Sequence, residues 1–144
     1  MAIKAVIFDV GGVLLDVDFQ KANEALAARC RPERAGLSME SLSTQIGKFM
    51  CSPEFLPTFQ DHVRGLIDSR HFAAKGARLM ANQFAYQGNS DDFLLDHGVA
   101  IVGPIRKNAE IAKGLVDSGA VAVALLSDAS SRDVRRSMPI LRRY

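Results

Sequence analysis

The residues with the clearest chemical potential are one acidic residue and one hydroxyl residue, each placed directly after an apolar segment. Asp9 follows such a segment and is itself followed by Gly11 and Gly12, and Ser127 follows a second one, residues 120–126. A carboxylate in this position can attack an electrophile or hold a cation. Glycines let the backbone approach an oxyanion and offer it N–H groups, and a serine hydroxyl can hold a phosphate oxygen.

Both apolar segments are predicted to be strands of a parallel sheet. Residues 3–9 are apolar on both faces and rich in β-branched and aromatic side chains, which is typical of a strand buried under helices. Ligands of open α/β sheets bind at the carboxyl ends of the strands, so we expect Asp9 and Ser127 to meet one anion there. The alternative is that Asp9 caps an ordinary turn and Ser127 caps the next helix.

The rest of the chain is predicted to be helical. Apolar residues at helical spacing, with capping residues, glycines or prolines at several ends, mark residues 19–31, 38–50 (Ser38 as N-cap), 69–84, 91–101, 105–117 (Gly119 as C-cap) and a last helix that ends at Pro139. We therefore expect an α/β core formed by residues 1–18 and 103–144, interrupted by a helical domain at 19–102.

Both ends of the chain resemble the haloacid dehalogenase (HAD) superfamily of hydrolases. Residues 3–14, IKAVIFDVGGVL, resemble its first motif, and residues 121–127 with Asp128 behind them resemble its second. The helical segment is similar to the cap domain of the subgroup that contains phosphatases, dehalogenases and the epoxide hydrolase N-terminal domain. The resemblance implies a Rossmann-like parallel sheet with an all-helical cap insertion.

The resemblance also implies a phosphatase with a covalent mechanism. Asp9 would attack the phosphoryl group of a small phosphorylated metabolite, and water would hydrolyse the resulting aspartyl-phosphate. Mg²⁺ would bind the Asp9 carboxylate and the backbone carbonyl of Gly11. The helical insertion would cover the site and select the substrate. The residues implied in phosphate and substrate binding are Ser127, Gly11, Gly12 and Asp128.

Three departures from the superfamily pattern shape these expectations. Gly11 stands where the phosphatases carry a second Asp as general acid and base, and Asp128 stands where Asn is common. The third motif, a Lys, and the fourth, an acidic pair that completes the metal site, have no counterpart before Tyr144. Asp91 and Asp92 are not that pair, because they begin a helix. Two strands are also few for a sheet, so we interpret the sequence as the N-terminal portion of a longer hydrolase.

Two other functions stay open at this point. A metal-independent 2-haloacid dehalogenase would use Asp9 on a carbon centre, and Gly11 is compatible with it because that chemistry needs no second carboxylate. A catalytically inactive module would bind phosphate or a partner that covers the open sheet edge. Asp16 and Asp18 are expected to make polar contacts where the helical insertion begins, not to replace the missing general acid.

Composition argues against several further classes of protein. Eighteen Lys and Arg against sixteen Asp and Glu leave a net charge of +2, too small to indicate a nucleic acid or membrane partner. No apolar run approaches the ~20 residues of a membrane-spanning helix. Cys30 and Cys51 form no disulfide or metal pattern, so a cytoplasmic location is expected. The oligomeric state stays open.

The remaining polar and aromatic residues receive structural interpretations. The three histidines share no metal-ligand spacing and are expected to be surface or cap residues: His62, His71 and His97. Five arginines near the end are interpreted as a solvated helix face: Arg132, Arg135, Arg136, Arg142 and Arg143. Six phenylalanines are expected to form the core of the helical domain: Phe49, Phe55, Phe59, Phe72, Phe84 and Phe93.

Overall fold

The structure is a computed structural model that describes residues 3–31, 33, 37–127 and 131–143. In chain order its elements are β1 (Ala5–Asp9), β2 (Leu15–Val17), α1 (Phe19–Ala28), α2 (Met39–Met50), α3 (Leu56–Val63), α4 (Ser69–Phe84), α5 (Ser90–Gly98), β3 (Ile101–Pro104), α6 (Arg106–Ser118), β4 (Ala122–Leu126) and α7 (Ser131–Leu141). The chain divides into two compact units, Met1–Val17 with Ile101–Tyr144, and Asp18–Ala100. The first is an α/β unit and the second is helical.

The α/β unit is built on a parallel pair of strands, as predicted. β1 pairs with β4 in continuous register, from Ala5 opposite Ala122 to Asp9 opposite Leu126. Helix α6 leads into β4 and ends at Gly119, whose φ of 60° is the left-handed conformation that glycine adopts without a steric penalty. The two strands therefore end at the same edge of the sheet.

The prediction that these strands are buried on both faces is wrong. The side chains of Ile7 and Leu126 are each 65% exposed. Within the described residues the parallel sheet has two strands, so apolar side chains on its open face have no neighbouring layer to contact. On the other side, an apolar groove of about 310 Å³, lined by Val116, Val123 and Leu125 among others, separates α6 from β4.

The α/β unit also contains a second, antiparallel pair of strands, which was not predicted. β2 pairs with β3, with Leu15 opposite Pro104, and a bulge interrupts the register between Asp16 and Val17. The helix predicted over residues 91–101 accordingly ends at Gly98. Strands of three and four residues are too short to show an alternating pattern, which explains why periodicity did not reveal them.

Capping side chains set the starts of the main helices in the helical unit. The Ser38 hydroxyl accepts from the Ser41 N–H at 3.3 Å, as predicted, and the Asp68 carboxylate accepts from the His71 N–H at 2.8 Å. Asn89 and Asp92 form a reciprocal capping box at α5. Among the described residues, no helix is long and apolar enough to cross a bilayer.

An aromatic cluster forms the core of the helical unit, which confirms the prediction for the phenylalanines. Phe55, Phe72 and Phe93 are almost fully buried, and their rings contact one another with centroids 5.6–6.3 Å apart. Phe59 packs against the cluster while remaining partly buried. His62 is buried as well, and its ring stacks on Phe72 at 4.4 Å. Burial of this apolar surface is the main stabilising contribution in the unit.

A polar network joins the buried side chains of Tyr86 and Asp96 to the exposed Arg29. The Tyr86 hydroxyl donates to the Asp96 carboxylate at 2.9 Å, and Arg29 forms ion pairs with Asp96 at 2.8 Å and Asp92 at 3.1 Å. Burial, followed by the bond to Asp96, raises the pKa of the Tyr86 hydroxyl. Burial also raises the pKa of the nearby Cys30 thiol to about 11. The network satisfies a carboxylate that would otherwise be buried without a partner.

Helix α7 continues past the proline that was expected to end it. Pro139 lies inside α7, which ends at Leu141. A proline two residues from a helix end removes one backbone hydrogen bond but disturbs little helix beyond it. The chain after the proline still turns, because the Arg142 N–H donates to the Met138 carbonyl at 2.9 Å.

Candidate functional site

Asp9 lies at the carboxyl end of the parallel sheet, beside the end of β4. It is the last residue of β1 and is opposite Leu126, the last residue of β4. The N–H of Val10 donates to the Leu126 carbonyl at 3.1 Å, which extends the pairing by one bond. Ser127 is the next residue along β4. The register therefore places Asp9 and Ser127 at the same edge of the sheet.

The Asp9 side chain is exposed at this edge. Within the described part of the chain, its carboxylate makes no hydrogen bond to the following turn and no ion pair. The interpretation of Asp9 as a turn cap therefore has no supporting bond. An ionised carboxylate has about four acceptor positions, and those of Asp9 are available to a cation or an electrophile.

The turn after Asp9 is held by its own backbone. The Val10 carbonyl accepts from the N–H groups of Leu14 and Leu15 at 3.0 and 2.8 Å, and the Gly12 N–H donates to the Leu15 carbonyl at 2.8 Å. Gly12 has a φ of +74°, a left-handed conformation that costs other residues about 1–2 kcal/mol. Gly11 has no such requirement. The positive φ thus explains why residue 12 is a glycine, whereas the backbone conformation at residue 11 does not require one.

Gly11 presents unengaged backbone groups next to Asp9. The residue is exposed, and among the residues described neither its N–H nor its carbonyl oxygen has a protein partner. A carboxylate and a carbonyl are hard oxygen ligands of the kind that Mg²⁺ accepts while it keeps several waters. No group of three or more His, Cys, Asp or Glu side chains that could hold a metal occurs in the described residues. Asp9 and Gly11 offer oxygen ligands of the type that a magnesium ion, otherwise coordinated by water, would need.

The two remaining predicted phosphate-binding positions follow β4. Ser127 is half-buried and already has an interaction within the protein. Asp128 lies outside the described residues, so its place relative to Asp9 is not assigned. A serine hydroxyl next to the sheet edge can donate to an anion that binds there.

Sequence patterns did not reveal two residues at the start of α6 that contact the turn after Asp9. The Ile105 N–H donates to the Leu14 carbonyl at 2.8 Å. The Asn108 side-chain amide donates to the Val13 carbonyl at 2.7 Å across 95 positions of sequence. Asn108 lies within the helix predicted over residues 105–117, and no motif distinguished it there.

Other carboxylates near the site have structural partners. Asp18 is the N-cap of α1, where its side chain accepts from the N–H groups of Gln20 and Lys21 at 3.0 and 3.3 Å. This is the polar contact expected where the helical insertion begins. Asp16 is exposed on β2, opposite Gly103. Neither observation makes these residues a substitute for the general acid missing at Gly11.

The histidines make contacts within the helical unit, and the described arginines near the end of the chain are exposed. His71 pairs with Asp68 at 2.8 Å on the surface, and hydrogen bonds from His71 lower the pKa of that aspartate. His97 packs against the rings of the aromatic cluster. Arg135, Arg142 and Arg143 are exposed, whereas the side chains of two further predicted members of that face, Arg132 and Arg136, lie outside the described set.

Comparison with known proteins gives structural matches alone. No family pattern and no curated protein matches the chain. The HAD family enzyme BT-2542 from Bacteroides thetaiotaomicron matches with a TM-score of 0.68 and 17% identity, over 95% of this chain and 59% of that one. The same enzyme in complex with magnesium and inorganic phosphate matches with a TM-score of 0.66 and 16% identity, over 94% and 58%.

The chain therefore spans less than two thirds of the length of that enzyme. Likeness at this level of identity concerns the fold, because one fold supports many activities. It agrees with the resemblance drawn from residues 3–14 and 121–127, with the parallel pair β1–β4 and with the many helices. Over the part of BT-2542 that it covers, the chain therefore has the same fold as this HAD family enzyme.

Proposed function

We propose that this chain carries the nucleophile of a Mg²⁺-dependent phosphatase that acts on a small phosphorylated metabolite. The observation that carries the proposal is the exposed carboxylate of Asp9, which has no partner among the described residues and lies at the sheet edge shared with Ser127. A structurally similar enzyme has been crystallised with magnesium and inorganic phosphate, which supports a phosphorylated ligand. The helical unit, Asp18–Ala100, is proposed to be the cap domain.

The proposed reaction has two displacements at phosphorus. A carboxylate oxygen of Asp9 attacks the phosphorus, the bond to the leaving oxygen breaks, and that oxygen takes up a proton. Water then attacks the aspartyl-phosphate, loses a proton, and releases inorganic phosphate with the carboxylate of Asp9 restored. The Gly11 N–H and the Ser127 hydroxyl would donate to phosphoryl oxygens during both steps.

Magnesium would be held by the Asp9 carboxylate and the Gly11 carbonyl, and its charge would neutralise the phosphoryl group. Position 11 offers no proton to the leaving oxygen, because glycine has no side chain. The proton would come from water. We therefore expect a slow reaction on substrates whose leaving group is basic, and a faster one on aryl phosphates, whose leaving oxygen needs no proton.

The experiment is phosphate release from p-nitrophenyl phosphate, measured with Mg²⁺ and again with EDTA. The proposal predicts Mg²⁺-dependent release that Asp9→Asn abolishes and that Asp16→Asn, an equally conservative change at an exposed carboxylate of the same unit, leaves unchanged. Release that persists in Asp9→Asn would contradict the assignment of the nucleophile.

A second candidate function rests on Gly11, since displacement at a carbon centre needs no second carboxylate. In that case Asp9 would release halide from a 2-haloacid, and EDTA would not affect the rate. An inactive binding module would instead bind inorganic phosphate without hydrolysing any ester. Phosphate release, halide release and binding of inorganic phosphate, measured on the same protein samples, separate the phosphatase, the dehalogenase and the inactive binding module.

A further inference from the structure

We propose that Asn108 is a positioning residue that holds the turn carrying the metal and phosphate contacts of Asp9 and Gly11. This role rests on the proposed function, because it concerns how that same site is kept in place. Asn108 lies on α6, and its side-chain amide donates to the Val13 carbonyl at 2.7 Å. It touches the turn from outside and does not itself contact the reacting groups.

The bond joins two parts of the chain that are distant in sequence. Asn108 and Val13 are 95 positions apart, and the amide is partly buried where they meet. Next to it, the Ile105 N–H donates to the Leu14 carbonyl at 2.8 Å. Two consecutive carbonyls of the turn are therefore held by two donors from the start of one helix.

Helix α6 has no side-chain cap at its start, and the side chain of Asn108 bonds to the turn after β1 instead. Ile105 is its N-cap and has no side chain able to accept from the first turn. Asn108 is in that first turn, where a polar side chain commonly folds back onto the helix start. Its amide reaches the turn after β1 instead. The arrangement favours the order of the turn over the stability of the helix end.

The held turn is the one that presents Gly11. On one side Val10 is fixed to Leu126, and on the other Val13 and Leu14 are fixed to α6. Gly11 and Gly12 lie between these two anchors, and the Gly11 N–H and carbonyl point to no protein partner in the described ranges. Two glycines in succession have wide conformational freedom, so the anchors add to the order that the backbone bonds within the turn provide.

The experiment compares Asn108→Ala, Asn108→Asp and Asn108→Gln with the unaltered protein and with Glu110→Gln, a change at an exposed position of the same helix. Amide hydrogen exchange of residues 11–15 reports the order of the turn. Titration with Mg²⁺ and with inorganic phosphate, followed by the amide resonance of Gly11, reports the site. Alanine is a better helix former than asparagine, so a purely helical effect would act in the opposite direction.

We expect Asn108→Ala and Asn108→Asp to increase exchange in the turn about tenfold and to weaken Mg²⁺ binding about tenfold, a size typical for loss of a supporting contact at a metal site. Asn108→Gln, which keeps an amide donor, should recover part of both. Glu110→Gln should resemble the unaltered protein. The Asp variant matches the size of Asn and keeps the measurement valid if the Ala variant folds poorly.

Two failures are distinguishable. Unchanged amide exchange and unchanged Mg²⁺ affinity in Asn108→Ala and Asn108→Asp would overturn the positioning role while leaving the proposed function intact. Absence of any response of the unaltered Gly11 amide to Mg²⁺ or phosphate would overturn the proposed function, and with it the ligand-directed role of Asn108.

Discussion

Asp9 stands opposite Leu126 in the parallel pairing of β1 with β4, and the N–H of Val10 continues that pairing by a bond to the Leu126 carbonyl. The nucleophile candidate is therefore fixed in register with the strand that leads to Ser127. A slip of this register would separate the two side chains. The chemistry proposed for the site thus depends directly on the pairing of two strands.

Restoring a second carboxylate should accelerate the proposed reaction. A Cβ atom added at Gly11 would meet only Val17 Cγ2, at 3.9 Å, which is an ordinary contact. We predict that Gly11→Asp folds with nearly unchanged stability and increases phosphate release from alkyl phosphates about 10²-fold or more, as is typical of a positioned general acid. Steady-state rates across leaving groups of different basicity measure this effect.

The matched control for that variant is the neighbouring glycine. Gly12 has a φ of +74°, so Gly12→Asp should lower the free energy of unfolding by about 1 kcal/mol and gain no activity. Equal acceleration by both substitutions would show that any added carboxylate suffices, and the positional argument for residue 11 would fail.

Substitution by alanine at two further glycines should change the stability of the protein in opposite directions. A Cβ atom at Gly76, on α4, would approach the Phe93 ring to 2.5 Å, so Gly76→Ala should destabilise the helical unit by about 1–3 kcal/mol through overpacking. A Cβ atom added at Gly114, on α6, would meet no atom of another described element within 4 Å, so Gly114→Ala should stabilise by up to about 1 kcal/mol through helix propensity. Urea unfolding of both variants measures the difference, and equal effects would contradict the packing described.

Removal of one buried hydroxyl should stabilise the helical unit. Thr58 is fully buried, and its Oγ1 has no hydrogen-bond partner among the residues that the structure describes. Thr58→Val keeps the shape and removes the unsatisfied group, so we expect an increase in unfolding free energy of about 1–3 kcal/mol. Thr58→Ser, which keeps the hydroxyl and loses a methyl group, should destabilise. A lower stability for Thr58→Val would show that the hydroxyl is satisfied in solution.

The stability of the helical unit should decline in alkali. Burial, with a smaller contribution from Asp96, raises the pKa of Cys30 from 9.0 to about 11, so the folded state holds this proton more tightly than the unfolded chain. The resulting stabilisation is complete below pH 9 and is lost as the pH rises through about 11. The pKa of Tyr86 is raised as well, which extends the same trend.

Unfolding by urea at a series of pH values tests this. Cys30→Ala should reduce the slope of stability against pH above pH 9. Stability that stays constant through this range would contradict the burial of an un-ionised thiol beside Asp96.

The sequence was informative where a residue type has a strong local preference. Ser38 and Gly119 predicted helix ends because a hydroxyl accepts backbone N–H groups and glycine adopts positive φ. The order of an apolar strand, an acidic residue and glycines predicted the position of Asp9 at a strand end. These features depend on neighbours within a few residues.

Features that depend on distant contacts could not be predicted. The amide of Asn108 contacts Val13 across 95 positions, and no pattern around either residue signals it. The pair β2–β3 joins segments more than eighty residues apart through very short strands. Exposure of Ile7 and Leu126 depends on how many strands and helices pack on them, which an apolar run does not reveal.

The most direct test of the central claim is to trap the covalent intermediate. The protein is mixed with Mg²⁺ and a phosphoryl donor, quenched in acid, digested and examined by peptide mass spectrometry. The account predicts phosphorylation of the peptide that contains Asp9, and none in Asp9→Asn. Phosphate release without any adduct on Asp9, or with an adduct on another residue, would contradict the assignment of Asp9 as the nucleophile.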